Sequence, residues 1–256
     1  MELVDIHCHL DLPQFSRDLE EVVARCVEKG VVVVNNGIGF VSNRETLRLA
    51  SEHSDVVRPA LGFHPTEVVR KKLGEKQVLE EVEWIRENIG GVVAIGEVGL
   101  DYHWTRDKAV WDTQEKVFRA MIGVANEYRL PLVVHSRKAE RRVLEVLDSQ
   151  AETEVVMHSF GGGAELIRKA LDQNFFFSIP PSIVRSKTLR KLARIVPIEK
   201  IFFESDAPFL SPNPGERNEP VNISVIAMVL SGITGVAESE IREKVLENTK
   251  RVFRVG

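Results

Sequence analysis

The 256-residue chain is poor in cysteine, with only Cys8 and Cys26. Cys8 falls in the first predicted strand and Cys26 in the first predicted helix, so a disulfide framework is excluded and a reducing compartment is expected. No stretch approaches the ~20 apolar residues that a membrane span needs. The N-terminus also lacks the basic segment and apolar run of a secretory leader. A cytoplasmic address without membrane attachment is the expectation. Positive charge is not in excess either, since 34 Lys and Arg face 38 Asp and Glu and leave a net charge of −4. That balance argues against holding duplex nucleic acid on a broad basic face. It leaves phosphate chemistry open, because bound divalent cations can bring positive charge to where an anion sits.

Linkers and low-complexity tracts are missing too, so residues 1–256 are expected to form a single unit. What the chain does have is a repeated rhythm of apolar strands and amphipathic helices. Strands are predicted at 3–9, 31–34, 56–62, 91–97, 130–135, 154–158, 175–178 and 200–206. Between and after them, helical spacing appears at 18–29, 43–53, 78–89, 110–129, 139–149, 165–173, 186–195 and 221–231, and 238–253 reads as a capping helix. Runs such as Val31 to Val34 are apolar without alternation, as in a sheet covered on both faces. An open doubly wound sheet would share this local pattern, but eight strands favour closure. The expected fold is therefore α/β, a single (β/α)8 TIM barrel with a C-terminal capping helix. The Pro-rich stretch 211–220 is too irregular for a turn and reads as a loop over the barrel mouth.

In such a barrel the C-terminal strand ends ring one mouth. Side chains alternate along a strand, so His7 and His9 share one face and Cys8 takes the other. The remaining strand ends offer His64, Glu97, His135, His158 and Asp206, and with His7 and His9 these use five of the seven histidines. Taken singly, a strand-end histidine reads equally as a polar boundary residue. Several imidazoles and two carboxylates crowded at one mouth, however, need cations to be tolerated. A two-metal site follows, with Glu97 as the candidate bridging carboxylate because it lies between the strand-one pair and the His135/His158 pair.

Motifs in order along the chain resemble those of the TatD family of metal-dependent deoxyribonucleases, within the amidohydrolase superfamily. They are Asp5-Ile6-His7-Cys8-His9-Leu10, Gly62-Phe63-His64-Pro65, Gly96-Glu97-Val98-Gly99-Leu100-Asp101, Val134-His135-Ser136-Arg137, Met157-His158-Ser159-Phe160, Glu204-Ser205-Asp206-Ala207-Pro208 and Arg217-Asn218-Glu219-Pro220. Ser159, Gly161 and Ser205 stand where the family often has Cys, Ser and Thr, and the ligand positions stay intact.

The resemblance implies His7, His9, Glu97 and Asp206 around one divalent ion and Glu97, His135 and His158 around a second. Such a pair can share a water and lower its pKa toward neutrality. Asp206 and Glu97 are then the catalytic candidates, with Asp206 orienting or deprotonating the water. Glu204, two residues before Asp206, is either a supporting partner of the ligands or a packed barrel carboxylate. His64, Tyr102, His103, Arg137 and Arg217 are the candidate substrate contacts. Tyr102, His103 and Phe160 could stack bases of single-stranded or frayed DNA. The ions could be Mg, Mn, Zn, Fe or Ni, and a monomer is expected. An ester or amide hydrolase, including a D-aminoacyl-tRNA deacylase, would use the same activated water. Against a lactonase or amidase, no lysine ends a strand where a carbamylated bridge would sit. A metal-binding scaffold without catalysis is the third reading, and the filled ligand positions count against it.

Overall fold

The structure, a computed structural model, describes residues 3–71, 73 and 75–255, without the side chains of Lys71 and Glu75. Of the basic run at 70–72, only the Arg70 side chain lies within the described residues. Eight parallel strands follow one another around the sheet in sequence order. They are β1 Leu3–Cys8, β2 Val31–Asn36, β3 Val57–Leu61, β4 Ala94–Gly99, β5 Leu132–His135, β6 Val155–Met157, β7 Phe176–Ile179 and β8 Ile201–Phe203. The helices that cover them are α1 Leu19–Glu28, α2 Phe40–Glu52, α3 Pro65–Lys71, α4 Glu75–Glu87, α5 Lys108–Tyr128, α6 Glu140–Gln150, α7 Ala164–Asp172, α8 Lys187–Ala193, α9 Ser224–Thr234 and α10 Glu238–Phe253. The eight-stranded TIM barrel read from the hydrophobic rhythm is the observed fold.

The barrel interior is apolar in its lower half. Val4, Ile6, Val32, Val34, Ala60, Ala94, Val133, Val156, Phe176 and Phe202 form one buried cluster, joined by Val252, Phe253 and Val255 from the end of the chain. Phe253 meets Phe202 edge to face at 5.5 Å, so the C-terminal end of α10 closes the bottom of the barrel. Burying one such ring is worth about 2–3 kcal/mol. A second, larger cluster fills the layer between strands and helices.

Two strands switch their facing halfway up. In β1, Asp5 pairs with Val33 but Cys8 with Asn35, so three steps on β1 match two on β2. In β4, Ile95 pairs with Leu132 but Val98 with Val134, the same mismatch. One extra residue reverses the alternation above it. Val4 and Ile6 thus face the apolar interior below, and His7 and His9 still face inward above. Glu97 lies within the corresponding irregular step of β4. Close backbone approach helps to hold β4 there. A Cβ on Gly62 would come within 2.6 Å of the Gly96 and Glu97 backbone, and one on Gly99 would come 2.0 Å from His135 O.

Several boundaries differ from the sequence reading. Strand four runs 94–99 rather than 91–97, because Gly91, at φ +79°, turns the chain before Val92 and Val93. Helix α3 was not anticipated; its first turn is set by Pro65 and by His64, whose Nδ1 accepts from Thr66 N at 3.2 Å. The stretch expected as an irregular loop to residue 220 ends in a short 3-10 turn, Pro220–Ile223, before α9.

Candidate metal centre

The barrel closes through the site itself. Asp206 N donates to His7 O at 2.8 Å and His9 N donates to Ala207 O at 2.8 Å, stitching the end of β8 to β1. Asp5 braces the same seam, its Oδ1 accepting from His7 N at 3.2 Å and Ser205 N at 2.7 Å. Asp206 takes the left-handed conformation, φ +54°. That costs a non-glycine residue about 1–3 kcal/mol, and the seam bond from its N–H holds it there.

Around this seam the strand-end residues converge. His7 Nε2 lies 3.5 Å from Glu97 Oε2 and 3.5 Å from Asp206 Oδ1. His9 Nε2 lies 3.4 Å and 3.6 Å from the same two oxygens. The other Glu97 oxygen, Oε1, is 2.9 Å from His135 Nδ1, 3.3 Å from His64 Nε2 and 3.9 Å from His158 Nε2. All six residues read as ligands are therefore brought together, and His64 joins them.

The outer ring nitrogens decide which inner ones are free to bind an ion. His9 Nδ1 lies 2.8 Å from the Asn36 carbonyl, which can only accept, so Nδ1 carries the proton and Nε2 presents its lone pair inward. His158 Nδ1 is 2.7 Å from Glu204 Oε2, and His135 Nε2 is 3.0 Å from Asp101 Oδ2. Glu204 also accepts from Ser159 N at 3.0 Å and from Ser178 Oγ, so it is committed to holding the β6 and β7 ends. His64 is arranged the other way round. Its Nδ1 accepts the Thr66 amide, so its proton sits on Nε2 and points at Glu97, making it a donor rather than a ligand.

Burial alone would push the His7 imidazole down, but the carboxylates of Glu97 and Asp206 carry it up to about 9. His135 is likewise depressed by burial and raised to about 9 by Asp101 and Glu97. His9 is held well above the ordinary range by the same contest. Burial dominates at His64, which stays below it. Burial would raise Glu97 and Asp206, yet the surrounding imidazoles keep both well below the usual carboxylate range. Asp5, packed beneath the site, is pushed up to about 7 by burial.

The donor set fits divalent ions. Both ring nitrogens of His7 are buried without a hydrogen-bond partner, as is Asp5 Oδ2, and an orphaned buried imidazole is costly unless something binds it. Donors sharing one tetrahedral ion at ~2.1 Å stand roughly 3.4 Å apart, close to the spacings around His7 and His9. Two groups, His7 with His9 and Asp206 and His7 with Glu97 and His158, bring their ligand atoms within 4.8 Å of one another; in a third, His64 with Glu97 and His135, the His64 proton points at Glu97 in place of a lone pair.

Two cavities flank the cluster. One of about 620 Å³ is walled by His9, Leu12, Pro13, Ile38, His64, Arg70 and Phe209. The other, about 390 Å³, is lined by His135, Ser136, Arg137, His158, Ser159 and Asp206. Arg137 is thus at the mouth. Tyr102 stacks on Trp111 at 4.3 Å and anchors its loop, and His103 is exposed beside Trp104. Arg217 is drawn away from the open mouth: both its terminal nitrogens are taken by Asp18, Glu219 and Gln14 O, and it lies over Phe15. Phe160 is fully buried against Phe177 and cannot stack a base. Cys8 faces away into the core toward Val34 O, as alternation requires.

Sequence reasoning passed over Asn36, Asp101 and the seam role of Asp5. The last two stand inside the motifs that were singled out, but their partners come from other strands. Asn36 extends β2 past the valine run that marked it.

Comparison with known proteins agrees with this geometry. The family model described as TatD related DNase matches residues 4–254. The chain is 36% identical to the uncharacterized metal-dependent hydrolase YabD of Bacillus subtilis, across 99% of this chain and 100% of that protein. It is 33% identical to human deoxyribonuclease TATDN3, across 98% and 94% respectively. The crystal structure of YJJV, a TatD homolog from Escherichia coli, superimposes with a TM-score of 0.88 at 25% identity, covering 100% of this chain and 99% of that one. The chain belongs to the TatD related DNase family of metal-dependent hydrolases.

Proposed function

We propose that the protein is a divalent-metal-dependent deoxyribonuclease that removes nucleotides from single-stranded or frayed DNA ends, working from the 3′ end. The observation that carries this reading is the division of Glu97: Oε2 faces His7 and His9, and Oε1 faces His135, His64 and His158. One carboxylate so placed can belong to two cation sites. His7, His9, Glu97 and Asp206 would hold one ion, and Glu97, His135 and His158 the other. Bound there, two cations supply a nucleophile from water near neutral pH and positive charge for the phosphoryl oxygens.

The chain's own groups then divide the remaining work. Asp206, kept ionised by its imidazole neighbours, accepts a hydrogen bond from the attacking water and can take its proton. His64 presents an Nε2–H to the centre from a ring fixed by the start of α3. Arg137, exposed at the rim, can fork onto a phosphate next to the one attacked. The net charge of −4 leaves little to grip a duplex, which favours strand ends.

The test is to strip the protein of metal, restore Mg, Mn, Zn, Fe or Ni in turn, and add end-labelled single- and double-stranded DNA, RNA and an aminoacyl-tRNA. A DNA ladder shortening from the 3′ end is expected. Release of the amino acid with no ladder would replace this reading with the ester-hydrolase one.

A further inference from the structure

The loop from Leu100 to Asp107 between β4 and α5 is pinned at several points. Asp101 Oδ1 accepts from His103 N at 2.8 Å, Tyr102 N donates to Arg137 O at 3.0 Å, and Trp111 Nε1 donates to Thr105 O at 3.2 Å. A loop so anchored has every means to bury its largest apolar side chain, yet Trp104 remains 60% exposed. Two arginines flank it, of which Arg70 also pairs with Glu67 at 3.4 Å. The Arg137 guanidinium lies 5.4 Å from the Trp104 ring centre, and Arg137 has no carboxylate partner among the described residues. On the other side, Arg70 shares a shallow hollow of about 480 Å³ with Trp104, Thr66 and Val69.

Both arginines also reach the ion centre. Arg70 walls the cavity that contains His9, His64 and Glu97, and Arg137 walls the one that contains His135, His158 and Asp206. Trp104 itself lines neither cavity but stands beside an arginine of each. An exposed indole between two guanidiniums suits alternating π-faces and phosphates, the repeat of a single polynucleotide strand.

We infer that Trp104, flanked by Arg70 and Arg137, is a stacking platform that holds a base of single-stranded DNA upstream of the phosphodiester at the metal centre. This rests on the nuclease reading above. It makes strand length, rather than the terminal nucleotide alone, the source of affinity. On this reading a strand of two nucleotides fills the metal centre without engaging Trp104, and longer strands engage it.

The experiment uses nuclease-resistant phosphorothioate oligothymidylates of two, four and eight nucleotides. They are titrated in EDTA against the wild type, W104A and W104F, and metal-loaded protein is then assayed on the ordinary oligonucleotides. The octamer should quench tryptophan fluorescence in the wild type, and W104F should lose that quench. W104A should weaken octamer binding and raise its KM about tenfold, with kcat within about twofold; W104F should recover most of the affinity. The dinucleotide should show less than about a twofold change. Equal octamer affinity in the wild type and W104A, or equal losses for dinucleotide and octamer, would overturn the platform while a wild-type DNA ladder keeps the nuclease reading. A wild type that neither binds nor cuts DNA of any length would remove both.

Discussion

The two sides of the metal centre are supported differently. On the β5 and β6 side, both imidazoles are backed by carboxylates, His135 by Asp101 and His158 by Glu204. On the β1 side, His9 rests on a neutral main-chain carbonyl and His7 has no outer partner among the described residues. An anionic partner makes an imidazole a stronger base and a better ligand. The β1 side depends instead on the backbone seam to β8 for its geometry. One side is tuned by charge and the other by the closure of the fold, and Glu97 joins them.

The largest effect should follow from cutting that join. Glu97→Ala removes an oxygen from each side, so activity should fall by about a thousandfold or more and metal content, measured by elemental analysis, should drop on both sides together. Activity within about tenfold of wild type would show that the two sides work independently. A smaller effect tests the asymmetry itself. Glu204→Gln and Asp101→Asn each keep the side chain's shape and remove its charge, and should weaken one ion by about 10–100-fold in a competition titration while the other stays near its original affinity. Uniform weakening of both ions would abolish the distinction.

The smallest effect is on pH. Without metal, His7 and His135 bind protons up to about 9, against 6.5 for a free imidazole. The folded state therefore holds protons that the unfolded chain releases. The stability they contribute is complete below pH 6.5 and lost as pH rises through about 9. Thermal unfolding in EDTA should show a midpoint falling across that window, and metal-loaded protein, whose ions displace those protons, should not show the fall. A flat profile in EDTA would place these imidazoles outside the carboxylate field described here.

The architecture was legible because each strand is a short apolar run with its own stop. Val31 to Val34 could hardly be anything else. Strand four was less legible, since Val92 and Val93 look like its beginning and the polar Glu97 looks like its end. A tertiary feature, the irregular step against β5, lets the strand continue through a buried carboxylate. The candidate ligands were visible for the reason that β4's limits were not: polar residues ending apolar strands stand out. Of their supports only Glu204 was named, for its place two residues before Asp206; Asn36 and Asp101 were invisible, because they act on residues of other strands. Among aromatic and basic side chains, sequence could not say which face water. Tyr102 and Arg217 proved to be anchors, Phe160 core, and Trp104 the exposed ring.

The seam between β1 and β8 carries a consequence for biosynthesis. His7 and His9 are synthesised long before the Asp206 that confronts them. A product that stops before the eighth strand therefore carries the β1 imidazoles without the carboxylate that faces them. The β1 side of the centre is completed only when the eighth strand has been made.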